Sequence, residues 1–420
     1  MMNTTIQYDC IIAGAGAAGL AGGAVCAAAG CSTLIVDRES RAGGILNQCI
    51  HNGFGLRYFK EELTGPEFAY RMTEKAKSAG AEFALNTTIT DITRLDDGTF
   101  ELRMLSRKEG LRRCRARAVL LAAGCRERTR GAIATAGERP AGVFTAGAAQ
   151  KMLNCEGKLP GRSAVIVGSG DIGLIMARRL RWCGIEVKAV VEIMPYSAGL
   201  TRNVVQCLHD FDIPLYLSTS VIRIDGKERV EQVIAAPLKS DRTPDLSKQF
   251  VIPCDTVLFS VGLIPEMELA RKLGVKENPA TGGAFVNSAN MTSIPGVFSA
   301  GNVLHVHDLV DFAAEEAEYA GRSMVDYLMG VRNNAEYAAG VEKNLKYVVP
   351  NRFIPGKECR FLFRPTVVTD KAVLKANVGG ETVWEKKLLF VRPAEMIIAR
   401  IPAETLTGDV SFELEDLENA

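Results

Sequence analysis

A chain of 420 residues is long enough for two or three domains, each with a core of its own. Its 47% hydrophobic and 24% charged content is that of an ordinary globular protein, and a formal net charge of +1 offers nothing to nucleic acid or an anionic membrane surface. No apolar run reaches the roughly 20 residues of a bilayer span, so no transmembrane segment is expected.

The N-terminus lacks the basic-then-apolar order of a secretory signal. The 11 cysteines are scattered, and no two are spaced Cys-x-x-Cys. Dispersed thiols in odd number fit a cytoplasmic protein, and the missing pair argues against a dithiol–disulfide reductase.

In chain order, residues 8–13 read as a buried parallel strand, 17–30 as a helix of small residues and 33–37 as the next strand. Between the first two stands Gly14-Ala15-Gly16-Ala17-Ala18-Gly19. Residues 47–64 read as a loop, and a helix is expected from Pro66 to Ala79. Three alternating runs within 81–121, parted by Asp96-Asp97-Gly98 and Lys108-Glu109-Gly110, predict a three-stranded meander. Arg112, Arg113, Arg115 and Arg117 fall in the last run and are expected on its wet face. The run ends in Leu121-Ala122-Ala123-Gly124, a strand running into a glycine turn.

A second strand–turn–helix follows about 150 residues after the first. Its strand is 163–167, its turn Gly168-Ser169-Gly170-Asp171-Ile172-Gly173, its helix 171–183 and its next strand 186–192. A further meander spans about 215–260. Gly296-Val297-Phe298-Ser299-Ala300-Gly301-Asn302 then gives a short strand and turn, and a long helix runs from about Asp308 to Leu328. That helix completes the first domain and makes the second an insertion. Residues from about 345 onward are rich in β-branched and aromatic types and read as a small antiparallel β module.

In each fingerprint the first glycine permits the tight turn, the second lets a pyrophosphate approach the backbone, and the third lets the helix pack on the strand. The helix N-terminus then offers free N–H groups and a partial positive charge. An acid at the end of the next strand suits a ribose hydroxyl: Asp37 lies 18 residues after Gly19, and Glu192 lies 19 after Gly173. Two such units in one chain are the layout needed to pass a hydride between a flavin and a nicotinamide. Glu192 favours the free 2′-hydroxyl of NAD over the 2′-phosphate of NADP, with nearby Arg202 as the opposing feature.

Over residues 6–330 the chain resembles the two-dinucleotide-binding-domain flavoproteins, of the pyridine nucleotide-disulfide oxidoreductase kind. The resemblance rests on the first fingerprint with Asp37, the pair Gly43-Gly44, the ending at Gly124, the second fingerprint, and Gly301 with Asn302. It implies an α/β fold of two Rossmann-like domains, the second inserted in the first, plus the C-terminal β-rich domain. The expected limits are 1–130 and 286–335 for FAD, 131–285 for NAD, and 345–420 for the β domain. Relatives often have Asp at position 302; Asn keeps the hydrogen bond and loses the charge.

The segments 122–128 and 142–150 are similar to subunits of opine oxidase and hydrogen cyanide synthase. The segment 44–55 looks like oxidoreductases associated with an anaerobic glycerol-3-phosphate dehydrogenase. The resemblance thus implies a partner dehydrogenase subunit, with an iron–sulfur protein as a further candidate partner. It also implies that the long helix aims its N-terminus at the flavin pyrimidine edge.

Cys49 falls where related reductases carry redox cysteines, with His51 as a nearby base, so these two are the candidate catalytic residues. His305 and His307 alternate on one segment, but no further ligand accompanies them, so no metal site is expected. Two other readings stand beside the electron-transfer component. One is a stand-alone NADH oxidase or peroxidase using Cys49; the other is a non-catalytic nucleotide-binding assembly module.

Overall fold

The computed structural model describes residues 6–332 and 335–418. The expectations for residues 1–5, 333–334 and 419–420 lie outside the described residues. Contacts divide the chain into two units: 1–125 with 265–420, and 126–264.

The apolar start of the chain forms β1 (Ile6–Ala13), the centre of a mixed sheet. Helix α1 (Ala17–Ala28) leads to β2 (Thr33–Val36), which lies parallel to β1. Helix α2 (Gly65–Ser78) is held at its start by a capping box between Thr64 and Glu67, with Pro66 in its first turn. Next come β3 (Glu82–Ala84), β4 (Thr87–Arg94), β5 (Phe100–Ser106) and β6 (Gly110–Leu121).

Strands β4, β5 and β6 form the expected antiparallel meander. Strand β3 is an exception, pairing parallel with β2. The far half of β6 lies parallel to β1, so one long strand serves both the meander and the nucleotide sheet. Arg113 and Arg117 stand exposed on β6 and meet Glu101 and Asp9, while Cys114, Ala116 and Ala118 point into the core.

In the second unit β7 (Val143–Thr145) and α3 (Ala146–Glu156) precede β8 (Ser163–Val167), α4 (Asp171–Trp182) and β9 (Glu186–Val191). After β10 (Leu215–Tyr216), the strands β11 (Thr219–Asp225), β12 (Gln232–Pro237) and β13 (Phe250–Pro253) make an antiparallel meander. Strand β14 (Thr256–Phe259) returns to a parallel sheet of order β7-β14-β8-β9-β10.

Residues 265–285, expected in the inserted domain, belong to the first unit, and residues 126–130 belong to the second. Packing decides this. Met267 and Ala270, in and beside α5 (Glu268–Lys272), are buried with Val275 and Ala284 against Val119, Leu121 and Val297. Strand β15 (Val297–Ser299) then adds to the far half of β6, and α6 (Val310–Leu328) lies on α1. Ala21, Ala24, Ala314, Ala317 and Ala320 are all buried, and such small side chains let two helices approach closely.

The C-terminal module is antiparallel for the most part. One sheet holds β16 (Tyr337–Val341), β19 (Thr369–Val378), β20 (Glu381–Val391) and β22 (Val410–Asp416). A second holds β17 (Leu345–Val349), β18 (Cys359–Pro365) and β21 (Ile397–Ile401). Its core is aromatic: the Phe412 ring lies 4.9 Å from Phe361 and 4.8 Å from Phe363, all fully buried. Replacing so large a buried side chain loses transfer energy and leaves a cavity. Phe412→Ala is expected to destabilise the module by about 3–5 kcal/mol. A drop in the urea midpoint with an unchanged slope would register it, and a change under about 1 kcal/mol would contradict it.

Candidate functional site

The first fingerprint closes β1 against α1. Gly14 has φ of +117°, and a Cβ there would lie 2.4 Å from the Ala122 carbonyl oxygen. At Gly19 a Cβ would lie 1.8 Å from the Gly14 oxygen, so helix and turn touch backbone to backbone. Gly16 is different: nothing lies within 4 Å of a Cβ built there. This open space sits over the start of α1, where no side chain caps the helix and no acid occupies the first turn. Unused N–H groups facing open space suit the diphosphate of FAD.

The other expected residues gather around the same strand end. Gly43 N–H donates to the Ala15 carbonyl (2.7 Å), and a Cβ on Gly44 would come 3.2 Å from Gly16 Cα. Asp37 Oδ2 accepts from Ala15 N–H (2.7 Å) and its Oδ1 from Glu39 N–H (2.9 Å). Gly124 has φ of +72° with open space beside it. A Cβ on Gly301 would lie 2.6 Å from the Ala18 methyl. Asn302 Oδ1 accepts from His307 N–H (3.0 Å), so this side chain closes its own loop.

The long helix begins at Val310 rather than Asp308, and its first turn carries the buried Asp311. Asp311 accepts from the backbone N–H groups of Gly55 (3.1 Å), Arg57 (3.0 Å) and Tyr58 (2.7 Å). An anion there stabilises the helix end and offsets the field that the resemblance expected that end to lend a flavin. Asp308 is instead committed to Arg364, Nη2 to Oδ1 2.6 Å.

Cys49 follows a 3₁₀ turn (Gly44–Gln48) and its thiol donates to the Ile45 carbonyl (3.4 Å). It packs against Gly65, where a Cβ would lie 2.8 Å from its own. His51 Nδ1 lies 2.9 Å from the Asn52 carbonyl, and its ring centroid is 5.0 Å from that of Phe54.

The second fingerprint repeats the first at its outer glycines but not at the middle one, where a Cβ on Gly170 would lie 3.0 Å from Ser260 Oγ. A Cβ on Gly168 would lie 2.2 Å from the Ser260 carbonyl oxygen and one on Gly173 2.7 Å from Ser260 Cβ. Gly170 caps α4 without a side chain. Glu192, 3% exposed, is already engaged: Oε2 accepts from Ser169 N–H (2.8 Å) and Ser169 Oγ–H (2.6 Å), Oε1 from Met194 N–H (2.9 Å). Beyond it opens a cavity of about 480 Å³ lined by Ile193, Met194, Pro195, Ser218, Lys239 and Arg242, among others.

The sequence offers two alternating histidines with no third ligand beside them. The structure supplies one, Glu316 on α6. His305 Nε2 lies 2.9 Å from Glu316 Oε1, and His307 Nε2 lies 3.5 Å from Oε2. Glu316 Oε2 also accepts from Gly301 N–H (2.7 Å), which ties this group to the loop of Gly301 and Asn302. Burial and the adjacent His307 push His305 down, so it stays neutral. Burial pushes the Glu316 carboxyl up, but the two imidazoles beside it and the His305 hydrogen bond outweigh it and hold it low. With His305 neutral, the direction that stands is an ionised Glu316, supported also by the Gly301 N–H.

Comparison with known proteins agrees with this layout. The chain is 27% identical over 318 residues to hydrogen cyanide synthase subunit HcnB of Pseudomonas protegens, covering 70% of this chain and 65% of that one. It therefore spans under two thirds of that relative's length. An opine oxidase subunit of Agrobacterium tumefaciens is 23% identical over 407 residues, covering 90% of this chain and 75% of its own. The crystal structure of T. acidophilum thioredoxin reductase superposes with a TM-score of 0.64 at 23% identity, over 77% of this chain and 99% of that one. That likeness shows the fold. Residues 8–317 match the pyridine nucleotide-disulphide oxidoreductases, and the chain belongs to that family, an oxidoreductase whose cofactors are FAD and a pyridine nucleotide.

Proposed function

We propose that the chain is an FAD-dependent, NAD(H)-linked oxidoreductase that passes a hydride between nicotinamide and flavin. In this reading it is the electron-transfer component of a multi-subunit dehydrogenase of the glycerol-3-phosphate or opine and amino-acid type. The observation that carries the reading is the pair of glycine turns, each opening a helix at a glycine N-cap, with an acid at the next strand end. Two relatives are subunits by name, which supports a partner dehydrogenase subunit here. An iron–sulfur protein is the further partner proposed.

Bound FAD supplies the two-electron acceptor. The chain's own task is to hold and align, because hydride transfer needs apposed rings more than an acid or base. Gly16 and the first turn of α1 hold the FAD diphosphate, with Asp37 toward its ribose. Gly170 and the first turn of α4 hold the NAD diphosphate. Glu192 meets the adenosine ribose through the lone pairs that Ser169 and Met194 leave. Cys49 and His51 flank the flavin in this reading, and the thiol carries no electrons.

Anaerobic titration with NADH and NADPH in parallel tests it, read as bleaching of the flavin band. NADH is expected to act at roughly tenfold lower concentration or better, a difference of about 1.4 kcal/mol. Lys239 and Arg242 line the adjoining cavity and favour a 2′-phosphate, so the titration weighs them against Glu192. Equal or reversed preference would refute the Glu192 argument. Failure of both nucleotides to bleach the flavin would refute the hydride reading itself.

A further inference from the structure

His305, His307 and Glu316 have no part in the hydride chemistry above, yet they form a polar group closed off from water. His305 is 0%, Glu316 6% and His307 9% exposed. Their hydrogen bonds do not balance. His307 Nδ1 lies 3.0 Å from the His305 carbonyl oxygen, which can only accept, so Nδ1 carries that ring's proton. Unless a second proton sits on it, Nε2 is then a bare lone pair, buried and without a hydrogen-bond partner among the described residues. What it faces, at 3.5 Å, is Glu316 Oε2, a second acceptor. Two buried acceptors at that distance repel unless a cation or a proton stands between them.

The donor set selects the cation. The ligand atoms of all three residues fall within 4.8 Å of one another. Two imidazoles and a carboxylate suit a borderline divalent ion of the first transition row better than magnesium or calcium, which prefer oxygen. The outer hydrogen bond fits at His307, because a metal-bound histidine ordinarily donates its other ring N–H to a carbonyl or carboxylate, whereas Nδ1 of His305 is buried with no such partner among the described residues. The His307 Nδ1–H to His305 carbonyl bond has that form.

We propose that His305, His307 and Glu316 hold one divalent transition-metal ion of the zinc class, bound through both imidazole Nε2 atoms and the Glu316 carboxylate. Two imidazoles and one carboxylate leave a fourth position on a tetrahedral ion, but the burial of all three residues closes it to substrate, so the role assigned is structural. The ion staples segment 301–309 to α6. Glu316 takes the Gly301 N–H at one end of that segment, and Asn302 takes the His307 N–H within it. The loop beside the FAD cradle is thereby fixed by the same ligands.

The test is metal analysis of tag-free holoenzyme grown with added zinc, by inductively coupled plasma mass spectrometry. About one ion per chain is expected to survive dialysis. His307→Ala and Glu316→Gln should each lose it, while the exposed-site control His209→Ala keeps it. Wild-type protein avoids any doubt over folding: a strong chelator should lower its melting temperature, and Zn²⁺ but not Mg²⁺ should restore it. Wild-type protein with under about 0.1 ion per chain, and a melting temperature that Zn²⁺ and Co²⁺ leave unmoved, would overturn the proposal. The gap would then belong to a proton, with His307 as a buried imidazolium. Retention of the ion in both ligand variants would overturn it equally.

Discussion

Gly16→Val is expected to leave a folded apoprotein with a much weakened hold on FAD, whereas Gly14→Ala is expected to destabilise the fold itself. The two positions are two residues apart and obey different constraints. Gly16 has φ −75° and ψ −176°, a conformation open to any residue, and empty space where its Cβ would go. The cost to the apoprotein is that of a poorer residue at a helix N-cap, about 1 kcal/mol. The valine methyls, however, stand where the diphosphate must approach the backbone. FAD affinity is expected to fall by about 100-fold or more, equivalent to roughly 3 kcal/mol. At Gly14, φ of +117° and a carbonyl oxygen 2.4 Å from the new methyl combine backbone strain with a clash against rigid backbone. That combination is expected to cost about 3 kcal/mol or more. The ratio of flavin to protein absorbance and the thermal midpoint of the apoprotein read the two effects separately. A Gly16→Val protein that purifies with full flavin content would sink the assignment of the cradle.

Much of this architecture is legible where local pattern and local structure coincide. The helix expected over 17–30 is observed as Ala17–Ala28, that expected from Pro66 to Ala79 as Gly65–Ser78, and the strand expected over 163–167 as Ser163–Val167. Each is bounded by a glycine or a cap that acts within a turn of itself. Segment 265–285 is illegible for the opposite reason. Its placement depends on Met267, Ala270 and Val275 finding Val119 and Val297, contacts between residues far apart in sequence. Loop 47–64 holds the end of the 3₁₀ turn Gly44–Gln48 and hides a short ladder of Asn52–Phe54 with Leu63–Thr64, both too brief to leave a period.

The site divides along the same line. Glycine positions are readable because the strand–turn–helix pattern around them is local, although Gly14, Gly168 and Gly173 meet Ala122 and Ser260, which lie far off in sequence. The acids are readable as spacing but not as chemistry. Glu192 is where the count puts it, yet three donors of its own chain already bind it. Glu316 had a readable signal that histidine spacing concealed. It falls three residues after Ala313 and four before Ala320, an ionised group on the buried stripe of an amphipathic helix. A charge on such a stripe needs a partner, and the two histidines nine and eleven residues earlier were available.

Arg364→Met is expected to destabilise the first unit by about 3–5 kcal/mol, because it strips a nearly buried carboxylate of its counter-charge. Arg364 and Asp308 are 15% and 13% exposed, with Nη2 and Oδ1 2.6 Å apart. The guanidinium also donates to the carbonyls of Val306 (3.1 Å) and Ala394 (2.9 Å), while Asp308 Oδ2 accepts from Met396 N–H (2.6 Å). One planar cation thus joins the loop beside the FAD cradle, strand β18 and the turn at 393–396. Methionine fills similar volume but leaves Asp308 charged in a poorly hydrated place and two carbonyls without their donor. Adding Asp308→Asn to that variant removes the stranded charge and keeps an acceptor for Met396 N–H. The double variant is therefore expected to recover about 1–2 kcal/mol, although Asp308→Asn alone should destabilise. Arg364→Lys keeps the charge but cannot reach three partners with a planar fork, so it should fall between the wild type and Met. Urea midpoints of the four proteins complete the cycle. Additive costs, or an Arg364→Met protein within about 1 kcal/mol of wild type, would mean that the apolar contacts of Tyr347 and Val349 suffice to seat the β module.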